Sequence, residues 1–242
     1  MERKTTFFNT GIGILPVVAM MIAMFAGTIF VPMFFGIVNA QNVWMQVVLL
    51  AMIGCAVAVS VRAKGPDFSI AGVMALTMMA IGQFSTQGYG WEVGLVVALL
   101  IAAGVGALNG AVALYTPVPA PAITIVVFIV LRLLLNIFST QPVPIEGLPA
   151  FGQSLLAATI LLVLVVAAVF LFVFFSRLGT PFAGRQKGEK TLSYLFAYVI
   201  SAVLSALAAF FLASRLGAAI GTVSWEYVMY TVFVAAGIYA SK

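Results

Sequence analysis

The chain alternates long apolar runs with short polar breaks, and the run lengths predict helices that cross a bilayer. A helix of about 20 apolar residues spans the roughly 30 Å of hydrocarbon. Runs of that order extend over Gly11 to Phe35, Val43 to Val61, Trp91 to Leu114, Ala122 to Phe138, Leu155 to Phe175 and Leu192 to Leu212. Phe68 to Gly82 and Tyr227 to Tyr239 are short for a full crossing, which makes them candidates for broken, tilted or half-crossing elements. The expected fold is an all-α integral membrane protein of about eight transmembrane or partly spanning helices, with a broken helix near residues 65–82. Residues 1–242 are expected to form a single polytopic membrane domain.

Composition agrees with the pattern. Hydrophobic residues make up 64% of the chain and charged residues 7%, and mean hydropathy is +1.23, outside the range of soluble globular domains. With the N-terminus inside, Arg3, Lys4, Arg62, Lys64, Arg177, Arg185, Lys187, Lys190 and Lys242 all fall on the cytoplasmic side. Arg215 alone falls outside, and Arg132 lies within a span, so the positive-inside rule is obeyed. The net charge of +5 follows from this topology, and nucleic-acid binding has no part in it; the basic side can contact anionic lipid. Residues 1–40, ERK before an apolar run that closes on VNA, imitate a cleavable signal, but a signal's apolar region is only about 7 to 15 residues, so an uncleaved first span is expected.

The residues that are missing narrow the chemistry. Cys55 is the single cysteine and there is no histidine, so neither a disulfide framework nor a transition-metal site is expected. No phosphate-binding G-x-x-x-x-G-K-[ST] occurs, so the chain is not expected to hydrolyse ATP. Glu2, Asp67, Glu92, Glu146, Glu189 and Glu226 are scattered over the terminus, span ends and loops, leaving no pair for acid and base work and no expectation of an enzyme.

Polar residues inside the apolar sequence are the candidates for function. A backbone that leaves the helix in hydrocarbon exposes N–H and C=O groups that only protein or a wet cavity can receive. The break GPDFSIAGVMAL at Gly65 to Leu76 is of this kind, and it brings Asp67 and Ser69 into the apolar sequence. Gly106 and Gly110 form a GxxxG, and Ser201, Ser205, Ala209 and Ala213 repeat every four residues, so backbones can approach closely at both places. Asn109, on the glycine face, must place its amide in an interhelical hydrogen bond or on a solute. Arg132 carries a charge that costs about 2.5 to 3.5 kcal/mol at a span's centre, so it must face protein or water. Asn136 and Thr140 share its helical face, and the stripe either lines a translocation path or leaves Arg132 capping carbonyls of a broken neighbour.

These motifs resemble the permease subunits of bacterial ABC importers of the ribose and simple-sugar type, whose relatives carry nucleosides or a quorum-sensing signal. GPDFSIAGVMAL is similar to that family's motif before a broken helix. GALNGAVALYTPVPAPAIT at Gly106 to Thr124 resembles its asparagine-glycine span and proline hinge, and FLASRLGAAIGTVSWEY at Phe211 to Tyr227 its late external loop. The resemblance implies a multi-pass subunit of the bacterial cytoplasmic membrane, N-terminus inside, that moves a small polar solute. A simple sugar such as ribose is the first expectation and a nucleoside the second. It implies as partners ABC ATPase subunits that hydrolyse the ATP, an extracytoplasmic solute-binding protein and a second permease subunit. Asp67, Ser69, Asn109, Arg132, Asn136 and Thr140 then become translocation-path candidates, and Arg177, Arg185, Lys187, Glu189 and Lys190 candidates for the ATPase contact.

Departures from the family pattern set a second reading beside this one. Ala71 stands where the family has glycine, and Ile125 to Phe128 where it is rich in Thr and Gly, so a path here would be more apolar. The segment Ser176 to Ser201 resembles the two ends of the family's ATPase-docking segment without its middle, and the family continues beyond the position of Lys242 through further spans. The alternative is a non-transporting, structural or regulatory subunit paired with a full-length permease.

Overall fold

A computed structural model describes residues 36–63, 65–138, 141–175, 192–222 and 225–240, together with Ile22 and Ala26. Seven helices stand among them. They are α1 (Ile37–Ala63), α2 (Ile70–Thr86), α3 (Trp91–Tyr115), α4 (Ala120–Phe138), α5 (Leu155–Phe175), α6 (Leu192–Leu216) and α7 (Trp225–Ala240). A short antiparallel pair, β1 (Val143–Pro144) and β2 (Ala218–Ala219), joins the loop after α4 to the loop after α6. The chain divides into Met1–Trp44 and Met45–Lys242, and the packing described below belongs to the second unit.

The apolar runs from Val43 onward became helices, with α1 beginning at Ile37, ahead of its expected start. Among the described residues, four helices are long and apolar enough to cross a membrane, over Ile37–Val61, Trp91–Tyr115, Ala120–Ile137 and Tyr194–Leu216. The two runs expected to be short are short, α2 with 17 residues and α7 with 16. The expected span Gly11 to Phe35 lies outside the described residues except for Ile22 and Ala26, and the seven described helices do not reach the expected eight.

Helix α2 is the centre of the second unit. It packs against α3, α4, α6 and the β pair, and from Ile70 to Gly82 only Leu76 and Ala80 escape full burial. Helix α3 turns a stripe of small residues inward, Gly94, Ala98, Ala102, Gly106 and Gly110. A Cβ on Gly106 would lie 2.5 Å from the Tyr198 carbonyl oxygen, and one on Gly110 2.5 Å from the Leu195 Cα, so the GxxxG face is spent on α6 of the same chain. Gly217, at φ 64°, ends α6 with its N–H on the Ala213 carbonyl, which turns the chain into β2.

Candidate functional site

The chain breaks between α1 and α2 because Gly65 and Pro66 cannot continue the helix. Gly65 sits at φ 155°, where other residues are strained, and a Cβ there would meet the Pro121 ring at 3.1 Å. Pro66 has no N–H to give. Four of the exposed backbone groups then find side chains on α1, α4 or α6. The Gly65 carbonyl accepts the Tyr198 hydroxyl of α6 at 3.0 Å. The Asp67 N–H donates to Ser60 Oγ of α1 at 3.2 Å, and the Phe68 N–H to Thr124 Oγ1 of α4 at 3.1 Å. Thr124 shares its one hydroxyl hydrogen between the carbonyls of Pro121 and Pro66.

Within this frame the side chains form a relay. Asp67 Oδ1 accepts the Ser69 N–H at 2.9 Å and the Ser69 hydroxyl at 2.6 Å, an Asx turn that starts α2. Asn109 Nδ2 donates to the same Ser69 oxygen at 2.8 Å, tying α3 to the break. Ser201 of α6 is buried too, and its Oγ has no hydrogen-bond partner. Asp67, Ser69, Asn109 and Ser201 are all fully buried, and Asp67 Oδ2, Asn109 Oδ1 and Ser201 Oγ are left without hydrogen-bond partners.

The structure thus brings together three of the expected path residues, Asp67, Ser69 and Asn109, and places the others elsewhere. Arg132 lies about 12 Å along α4 from Thr124, at 1.5 Å per residue, and donates through Nη1 to the buried Gly221 carbonyl in the loop after β2. Asn136 is exposed. Thr140 and the basic segment with Arg177, Arg185, Lys187, Glu189 and Lys190 lie outside the described residues. An apolar cavity of about 270 Å³ between α2, α3 and α4 is lined by Leu76, Met79, Val97, Ile101 and Leu135, with Gln83 and Gln87 besides; no expected path residue lines it. Sequence reasoning missed Ser60, Thr124 and Tyr198 as receivers of the break, and it placed Ser201 only in a packing stripe.

Arg132→Leu is expected to leave the Gly221 carbonyl unpaired, costing about 1 to 3 kcal/mol, with Arg132→Lys intermediate because a single donor can still reach it. Thermal melts in detergent check this; a leucine variant that melts with the parent would show that the bond does not brace the loop after β2.

Among known proteins, the chain is similar to the autoinducer 2 import system permease protein LsrC of Yersinia enterocolitica. The two are 28% identical over 189 residues, which covers 71% of this chain and 52% of the relative. The chain therefore spans about half the length of the curated relative it matches. No protein-family model matches the chain. No solved structure matches it either.

Proposed function

We propose that this chain is a transmembrane permease subunit of an ABC-type importer, moving a small polar solute of the simple-sugar class across the bacterial cytoplasmic membrane. The observation that carries the reading is the 28% identity to a permease of the autoinducer 2 import system over 189 residues. Four helices apolar enough to span a membrane and a polar break inside the helix bundle support it. In this reading separate ATPase subunits hydrolyse ATP, a binding protein delivers the solute outside, a second permease subunit completes the path, and the chain itself catalyses no reaction. The lysine and arginine bias supports an N-terminus in the cytoplasm, with the segment from Arg177 to Lys190 facing the ATPase.

The test joins coupling to transport. The chain is co-expressed with the ATPase, binding protein and any permease encoded beside it, and the purified complex is placed in proteoliposomes with ATP inside. Uptake of a labelled sugar, together with cysteine crosslinks from Gly184 or Gln186 to the ATPase, is the expected result. Uptake that proceeds unchanged when this chain is omitted would overturn the reading and leave the chain a companion subunit.

A further inference from the structure

We propose that the strip of α4 formed by Ile125, Ile129, Arg132 and Asn136 binds an anionic phospholipid, its phosphate on Arg132 and Asn136 and an acyl chain along the two isoleucines. Successive members stand three or four residues apart, so all of them fall on one side of the helix. Ile125 is 42% exposed and Ile129 46%, Asn136 is exposed, and Arg132 is half-buried between them. The buried side of α4, with Phe128, Leu131 and Leu135, is turned toward the bundle instead.

Arg132 carries a charge that nothing described balances. Its Nη1 donates to the Gly221 carbonyl, and no other bond of the guanidinium is made among the described residues. That carbonyl is neutral, and none of the described carboxylates, Asp67, Glu92, Glu146 and Glu226, pairs with the arginine. The remaining donors of the fork are uncommitted. Arg215, the other basic side chain described, gives its Nη1 to Gln46 of α1.

Depth decides what the fork meets. Arg132 lies about 9 Å along the axis from the last residue of α4, Phe138, and Asn136 about 3 Å. An arginine at that depth extends to the headgroup layer by snorkelling. Phosphate oxygens match its planar fork, and the Asn136 amide adds a donor from the next turn. Away from that end the strip is apolar, so its polarity changes along the helix in the same order as in a lipid, headgroup first and chain after. A path for a polar solute needs polar groups along its whole length, and Ile125 and Ile129 supply none.

The inference stands apart from the importer reading, since it is tested on the purified full chain in neutral detergent without transport. Melting is followed with added phosphatidylglycerol, phosphatidylcholine or inorganic phosphate, and retained lipid is counted by native mass spectrometry. The expected result is a saturable upward shift of several degrees with phosphatidylglycerol, a smaller one with phosphatidylcholine, whose choline opposes the arginine, and none with inorganic phosphate. Arg132→Gln should abolish the difference between the two lipids. Asn136→Leu, which leaves the Gly221 bond alone and is the variant to rely on if Arg132→Gln does not fold, should raise the half-saturating lipid concentration about fivefold, the worth of one hydrogen bond. Each variant is compared with itself with and without lipid, so any stability lost with the Gly221 bond drops out. Equal shifts with both lipids, or a preference that survives in both variants, would overturn the proposal. A shift reproduced by inorganic phosphate would give the site to a soluble anion, and a dimer indifferent to phosphatidylglycerol would give it to a partner helix; either overturns it equally.

Discussion

Replacing Gly106 with leucine is expected to cost the chain its folded form, whereas the same replacement at Gly104 is expected to leave it intact. The two glycines share α3 and differ in what faces them. A Cβ on Gly106 would sit 2.5 Å from the Tyr198 carbonyl oxygen and 2.7 Å from the Val199 Cα, and both obstacles are backbone. A side chain can swing aside, but a helix backbone moves only by separating α3 from α6. Over-packing an ordinary core costs about 1 to 3 kcal/mol. Separation here would also uncover the α3 and α6 stripe and pull Tyr198 from the Gly65 carbonyl, a large share of the roughly 5 to 15 kcal/mol that holds a domain folded. Gly104 meets nothing within 4 Å, so leucine there has room and gains helix propensity. Yield of folded protein and melting in detergent distinguish the two. A Gly106→Leu variant that melts with the parent would mean that α3 and α6 do not touch in this register.

The contrast between those glycines shows what the sequence made legible. The GxxxG spacing announced a close helix contact, but nothing in the spacing named α6 as the partner, because a small-residue stripe fits any helix that brings its own. The break at Gly65 to Ser69 was legible for a different reason: Gly-Pro-Asp inside an apolar run leaves backbone groups that must be received. Its receivers were not legible. A lone hydroxyl in an apolar helix ordinarily bonds back to its own helix, as Ser205 does to the Ser201 carbonyl and Thr231 to the Tyr227 carbonyl. Ser201 looks identical to Ser205 in sequence, yet its Oγ makes no such bond back along the helix. Arg132 was conspicuous by charge alone, and its partner, the Gly221 carbonyl, lies far along the chain.

Asp67→Ala and Asn109→Ala are expected to be strongly and non-additively destabilising, because both act through Ser69. Removing the Asp67 carboxylate takes the acceptor from two donors at once, the Ser69 N–H and the Ser69 hydroxyl, in a site with no solvent to replace it. Each of the two hydrogen bonds lost is worth about 1 kcal/mol. A buried donor left without a partner costs about 1 to 3 kcal/mol more. Asn109→Ala takes one donor from the Ser69 oxygen and opens a small void beside α6, so its own cost should be lower. Once Asp67 is gone, however, the Ser69 hydroxyl is free to turn toward Asn109 Oδ1, the atom it could not serve while committed to the carboxylate. The amide then recovers part of the loss, and removing it in the double variant forfeits that recovery. The double variant should therefore be less stable than the sum of the singles by about 0.5 to 3 kcal/mol, the range found for residues in one network. Denaturant or thermal unfolding of the four proteins of the cycle measures this directly. Strict additivity would mean that the carboxyl, hydroxyl and amide do not work as one relay, and that α3 is held to the break by packing alone.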